Sequence, residues 1–136
     1  MNTCRSGALV AALVLALGLT AVAGAEPLQP RTSNAAAVTV EVKPLGLTPG
    51  AKSWDFEVTM NTHTQALDQD LARVSVLVDD GGKQYTPSAW KGDPPGGHHR
   101  KGVLQFAPVP GNPKSLELRI EGVSTPEARV FAWKLR

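Results

Sequence analysis

The sequence predicts an all-β domain, an antiparallel immunoglobulin-like β-sandwich of about seven strands. Three observations predict it. Apolar and polar residues alternate strictly over several short segments, the two-residue period of a strand with one face buried. These segments are separated by clusters of Pro, Gly and Asn, which punctuate strands. No helical period persists beyond a turn, and no internal repeat is present. A small closed barrel is the alternative architecture for the same pattern. The Cys–Trp–Cys signature of antibody domains is missing, so the architecture alone is argued.

The N-terminus has to be set aside first. Residues 1–25 read as a secretory signal peptide: a short start carrying Arg5, an apolar run over 7–24, and the small-residue exits Ala21-Val22-Ala23 and Ala23-Gly24-Ala25. A retained anchor is the competing reading, because about 18 apolar residues just span a bilayer. The small-residue exit, with no basic cluster after it, favours cleavage. A periplasmic or secreted protein with no membrane insertion after cleavage is expected. Cys4 leaves with the signal, so the mature chain, starting near Glu26, carries no cysteine. Thiol catalysis, thiolate metal ligands and disulfides are thereby excluded, and the packed core of a domain of about 110 residues must supply the stability.

Residues 26–37 (EPLQPRTSNAAA) show no apolar periodicity and read as a flexible leader, leaving 38–136 as one sandwich domain. The first strand alternates Val38, Val40 and Val42 with Thr39, Glu41 and Lys43. After the turn LGLTPGAK, the second sets Trp54, Phe56, Val58 and Met60 against Asp55, Glu57, Thr59 and Asn61. A third is expected over 72–79, with Val74, Val76 and Val78 on one face. Asp80-Gly81-Gly82 then turns the chain into a fourth over 83–90. Three more follow at 102–107, 115–123 and 128–135. In these, Leu116, Leu118 and Ile120 share one face and Phe131, Trp133 and Leu135 another.

The formal charge of +2, with basic residues scattered along the chain, gives no nucleic-acid footprint. The candidate chemistry lies in two loops, the usual place for binding residues on a β scaffold. One is NTHTQALDQDL, residues 61–71, with His63, Asp68 and Asp70. The other is WKGDPPGGHHRKG, residues 90–102, in which Pro94-Pro95 stiffens the chain, Gly96-Gly97 lets it turn, and His98-His99 precedes a strand. Neighbours on extended backbone point to opposite faces, so one of His98 and His99 faces any given partner.

Imidazoles with a carboxylate and no thiolate suggest a Zn²⁺ or Cu²⁺ site, with His63, His98 or His99, and Asp70 (or Asp68) as ligands. Met60 belongs to the core face, which argues against a Cu⁺ methionine site. The competing reading is structural: histidines bonded to loop carbonyls and aspartates capping turns. Asp68-Gln69-Asp70 and Asp79-Asp80-Gly81 echo pieces of calcium loops but lack the acceptor spacing and closing Glu of an EF-hand. No nucleophile motif such as GxSxG occurs, so an enzyme is not expected. Trp54 and Trp133 are in phase with core residues. Trp90, just before the histidine loop, is expected in the core, with a platform beneath the loop as its other role.

Thr62-His63, Leu67-Asp68, Asp70-Leu71, Trp90, Gly92 and GGHHRKGVLQF (residues 96–106) together resemble a pattern in small uncharacterised exported bacterial proteins. That resemblance covers roughly residues 56–106 and implies that the two loops form one unit, with no activity attached. In size, export and cysteine-free architecture the chain is also similar to periplasmic copper carriers of the CopC type. It lacks a histidine near the mature N-terminus and a methionine-rich stretch, so their site does not carry over. The sequence therefore predicts an exported binding protein with a histidine-based copper or zinc site between the His63 and His98-His99 loops. The alternative is a metal-free module that binds or assembles with another envelope protein.

Overall fold

The computed structural model describes residues 28–136 and the isolated residue 18, so nearly all of the segment read as an export signal lies outside the described residues. Among the described residues, nine strands form two antiparallel sheets, accompanied by one helical turn. The first contains β1 (Arg31–Ala35), β2 (Val38–Leu45), β3 (Trp54–Thr62), β7 (His99–Phe106) and β6 (Ala89–Gly92), in the order β1-β2-β3-β7-β6. The second runs β5-β4-β8-β9, with β4 at Ser75–Asp79, β5 at Gln84–Tyr85, β8 at Ser115–Ile120 and β9 at Arg129–Lys134. The single turn α1 (Leu71–Val74) leads into β4. Named in immunoglobulin style from β2 onward, the sheets read A-B-E-D and C′-C-F-G, so the chain is an immunoglobulin-like β-sandwich with one extra strand at its N-terminus. No helix among the described residues is long and apolar enough to cross a membrane.

The core follows from the alternation. Val38, Val40 and Val42 of β2, Trp54, Phe56, Val58 and Met60 of β3, and Leu104 and Phe106 of β7 face Leu116, Leu118 and Ile120 of β8 and Phe131 and Trp133 of β9. Phe56 sits at the centre, edge-on to Phe106 at 5.7 Å and tilted against Trp133 at 5.6 Å. Each such fully buried large side chain contributes about 1.5–3 kcal/mol relative to exposure.

Three elements differ from expectation, each for a local reason. Residues 31–35, placed in a flexible leader by composition, form β1 and pair residue for residue with β2. Their side chains are exposed or half-buried, so no apolar pattern announces them; backbone hydrogen bonding holds them. The strand expected over 83–90 is two strands on different sheets. β5 pairs with β4, β6 pairs with β7, and Pro87, which has no N–H to give a ladder, lies in the crossing between them. In β4 the residue of the central core is Leu77, opposite Leu118, whereas Val76, half-buried, and Val78, buried, pair with Arg119 and Glu117 on the other face. A one-residue change of register exchanges the faces of a strand, and a run of consecutive apolar residues does not fix which face wins.

The β1–β2 hairpin turns on Ala36 and Ala37, both at positive φ (48° and 62°). Such a two-residue turn favours Asn-Gly, and each alanine held there costs about 1–2 kcal/mol. The buried side chain of Arg129 offsets this. Its guanidinium donates to the carbonyls of Ser33, Ala35, Val38 and Val123 and to Ser33 Oγ, tying β1 to β9 and closing that side of the sandwich. Trp133 Nε1 adds a bond to Gln29 O at 2.8 Å.

Candidate functional site

Antiparallel pairing brings four connections to one end of the sandwich: the Ala36-Ala37 turn, residues 63–70, residues 93–98 and residues 121–128. The last three correspond to the B–C, D–E and F–G loops of immunoglobulin domains, and they include both loops singled out in the sequence. They are cross-linked by named bonds. Gly96 N donates to Leu67 O at 2.8 Å, joining the D–E loop to the B–C loop. Gln69 Nε2 donates to Gly122 O at 3.1 Å, joining the B–C loop to the F–G loop.

The centre of this end is Arg100, which is only 1% exposed. It occupies an inward position of β7, opposite Met60, in phase with Gly102, Leu104 and Phe106. Its Nη1 donates to Leu67 O at 3.2 Å and to Gln69 O at 2.8 Å, and its Nη2 donates to Asp93 O at 3.2 Å. One guanidinium thus holds both loops by their backbones. Burial pulls its pKa below the ordinary arginine range, while the carboxylates of Asp93, Asp70 and Asp68 push it back up. An arginine remains charged under such a pull, so the carbonyls and nearby acids solvate a permanent cation.

Trp90 completes the anchor. Its ring lies 5.6 Å from Arg100 Cζ, and its Nε1 donates to Asp93 O, the same carbonyl that Arg100 holds. The ring is half-buried and packs against the core, so it is both a core contact and a platform for the loop. It fits there because Gly92 and Gly102 face each other beneath it. A Cβ on Gly102 would come within 2.6 Å of both Gly92 Cα and Trp90 Cζ2. Gly96 and Gly97, at φ 115° and 71°, supply the reversal that returns the chain to β7.

The histidines lie apart from this buried anchor. His99 is the first residue of β7, on the solvent face of the first sheet, across from Asn61. Its Nδ1 meets Asn61 Oδ1 at 2.5 Å. The amide oxygen can only accept, so Nδ1 is the donor in this contact. Asn61 belongs to a polar row, Asn34–Thr39–Asn61–His99, that crosses four strands. His63 follows Asn61 by two residues and lines a shallow groove with Asn34, Ala37, Thr39, Asn61, Thr62 and Thr64, about 470 Å³ in volume. Thr62 shapes its floor: Oγ1 donates to Ala37 O at 2.7 Å and accepts from the backbone of Thr64 and Gln65.

Of the proposed metal ligands, His63 and His99 flank Asn61. His98 lies just outside the strand and accepts from Thr62 N through its carbonyl. Asp70 stands at the start of α1, where its carbonyl receives the Arg73 and Val74 amides, and its carboxylate acts on the Arg100 cation. Among the described residues, no group of three or more His, Cys, Asp or Glu side chains converges as a metal-holding cluster.

Sequence reasoning missed Arg100 and Arg129, although a signal was present. Each stands at the end of an inward-facing series, Arg100-Gly102-Leu104-Phe106 and Arg129-Phe131-Trp133, so strand parity alone places both inside. No protein-family model, curated protein or solved structure matches the chain.

Proposed function

We propose that this protein is an exported immunoglobulin-like binding module that engages an envelope partner through the loop end of its sandwich and carries out no catalysis. The observation that supports this most is the Arg100 anchor. A buried cation that costs several kcal/mol to desolvate is spent on holding the backbones of two loops whose residues, Leu67 apart, are mostly exposed. Recognition loops benefit from such preorganisation, because rigid loops lose less entropy on binding.

The test is site-specific photo-crosslinking in the exporting cell, with the probe at Gln65, Pro95 or Thr125 on the loop end, and at Pro49 or Asn112 on the opposite end. One common adduct from the loop-end positions and none from the other two is expected. Equal labelling from both ends, or none from either, overturns the reading.

A second reading is a copper or zinc ion on His99 and His63. It is favoured by the His99–Asn61 contact, because a histidine whose Nδ1–H is held by an oxygen presents Nε2 as a ligand nitrogen. Thr39 and Thr64 line the groove of His63 with oxygens. A bound ion at about 100 times its Kd would raise stability by about 2.7 kcal/mol. Titration with Cu²⁺ or Zn²⁺ should then raise Tm by about 10 °C, and His99→Ala and His63→Ala should each abolish the shift. An unchanged Tm in the native protein removes the metal reading and leaves the loop-end module standing.

A further inference from the structure

We infer that the N-terminal strand is exchangeable, and that two copies of this chain pair by swapping residues 28–35. The hinge is the Ala36-Ala37 turn. Both residues are held in the left-handed region with a Cβ, in a two-residue loop that leaves no slack. Short strained hinges favour exchange, since opening the loop into extended backbone relieves the strain while every other contact can be remade.

The contacts of the segment are of a kind a second copy reproduces without change. β1 makes its ladder with β2 through backbone groups, and its side chains are exposed or half-buried. Arg129 reaches it mainly through the carbonyls of Ser33 and Ala35, and Trp133 Nε1 reaches it through Gln29 O. Leu28, partly buried against the core, travels with the strand and seats equally well in the partner. The exchanged and closed forms therefore differ in the hinge, where strain favours exchange, and in the entropy of joining two chains, which favours the monomer. The balance depends on protein concentration. Because Ala36-Ala37 lies at the loop end, the two sandwiches of such a dimer meet there, end to end.

Asn34 and Thr39 are opposite each other on the solvent face of the hairpin, one pair beyond Ala35 and Val38. The full chain carrying Cys4→Ser, Asn34→Cys and Thr39→Cys is prepared in isotopically light and heavy forms, mixed, refolded at about 1 µM and about 1 mM, and then oxidised. Mass spectrometry of the disulfide-linked peptides reads whether the two halves come from one chain or two. Mixed light–heavy pairs should be rare at the low concentration and approach half of all pairs at the high one. Only light–light and heavy–heavy pairs at both concentrations would overturn the inference, as would thiols that remain free. Adding Ala36→Asn with Ala37→Gly supplies the residues the turn favours and should lower the mixed fraction at least about tenfold. A mixed fraction unchanged by that pair would show that hinge strain does not drive exchange, and the inference fails.

Discussion

Arg100→Met isolates what the buried guanidinium does, because methionine fills much of the same volume and keeps contact with Trp90 but donates no hydrogen bonds. Three charge-assisted bonds are lost, each worth about 1.5–3 kcal/mol, together with a cation–π contact worth about 1–2 kcal/mol in a desolvated setting. Against this stands the desolvation of the cation, several kcal/mol that the variant no longer has to overcome. The acceptors also differ in what they lose. Leu67 O keeps its bond from Gly96 N and Asp93 O its bond from Trp90 Nε1, whereas Gln69 O is partly buried and regains water. The net loss should be about 2–3 kcal/mol. At about 4 °C per kcal/mol for a domain of this size, Tm falls by about 10 °C in a thermal melt followed by circular dichroism. Hydrogen exchange gives the local signature: the Gly96 amide loses protection more than amides at the centre of β3. Arg100→Lys should resemble the methionine variant, since one ammonium does not span three carbonyls set for a planar fork. A variant melting within about 2 °C of the native protein, with Gly96 protection intact, would show that Arg100 does not hold the loops.

Two further outcomes follow from the packing and the charges. Asp79 Oδ1 accepts from the Lys83 and Gly81 amides and Oδ2 from Tyr85 Oη; the Lys83 amide bond, ahead of the others, holds its carboxyl below the ordinary 3.8. Burial first, and then the Asp79 bond, raise the Tyr85 phenol above its ordinary 10.0. A depressed carboxyl stabilises above its unfolded pKa and loses that contribution as pH falls through its folded one. A raised phenol stabilises below its unfolded pKa and loses that contribution as pH rises through its folded one. Stability should therefore hold a plateau between these limits, and Asp79→Asn should flatten the acid flank of a urea-midpoint profile and shift the alkaline flank only in part, since burial is the main cause of the raised phenol; an unaltered profile refutes the pairing. Gly102→Ala drives a methyl into the Trp90 ring and into Gly92 Cα and Lys91 O, the last two being backbone groups that have no room to yield. A loss of about 2–3 kcal/mol in urea unfolding is expected, with an altered near-ultraviolet tryptophan signal, and a midpoint equal to the native one would contradict the close approach.

The strands that face the core on one side were legible because burial on one face imprints a two-residue period. Val38 to Val42, Trp54 to Met60, Leu116 to Ile120 and Phe131 to Trp133 all lie as their alternation says. β1 was not legible, because it is held by backbone bonds and by Arg129, and neither leaves a side-chain pattern of its own. Of the site, the pairing of the two loops was legible and its agent was not. The histidines drew attention as rare residues in Gly/Pro loops, yet the side chain that joins the loops is the arginine next to them, with its charge turned inward.

By itself, then, the sequence determined the class of fold, the faces of the strands patterned on one side and the places of most of the turns, because each of these rests on residues close together in the chain. Tertiary structure decided the rest. Strand pairing set Asn61 beside His99 and Asn34 beside Thr39, turned Arg100 into the space between two loops, and gave a weakly patterned leader a sheet to join. Those outcomes depend on groups separated by up to 104 residues, as Trp133 and Gln29 are, and only the assembled sandwich brings such groups within reach of a hydrogen bond.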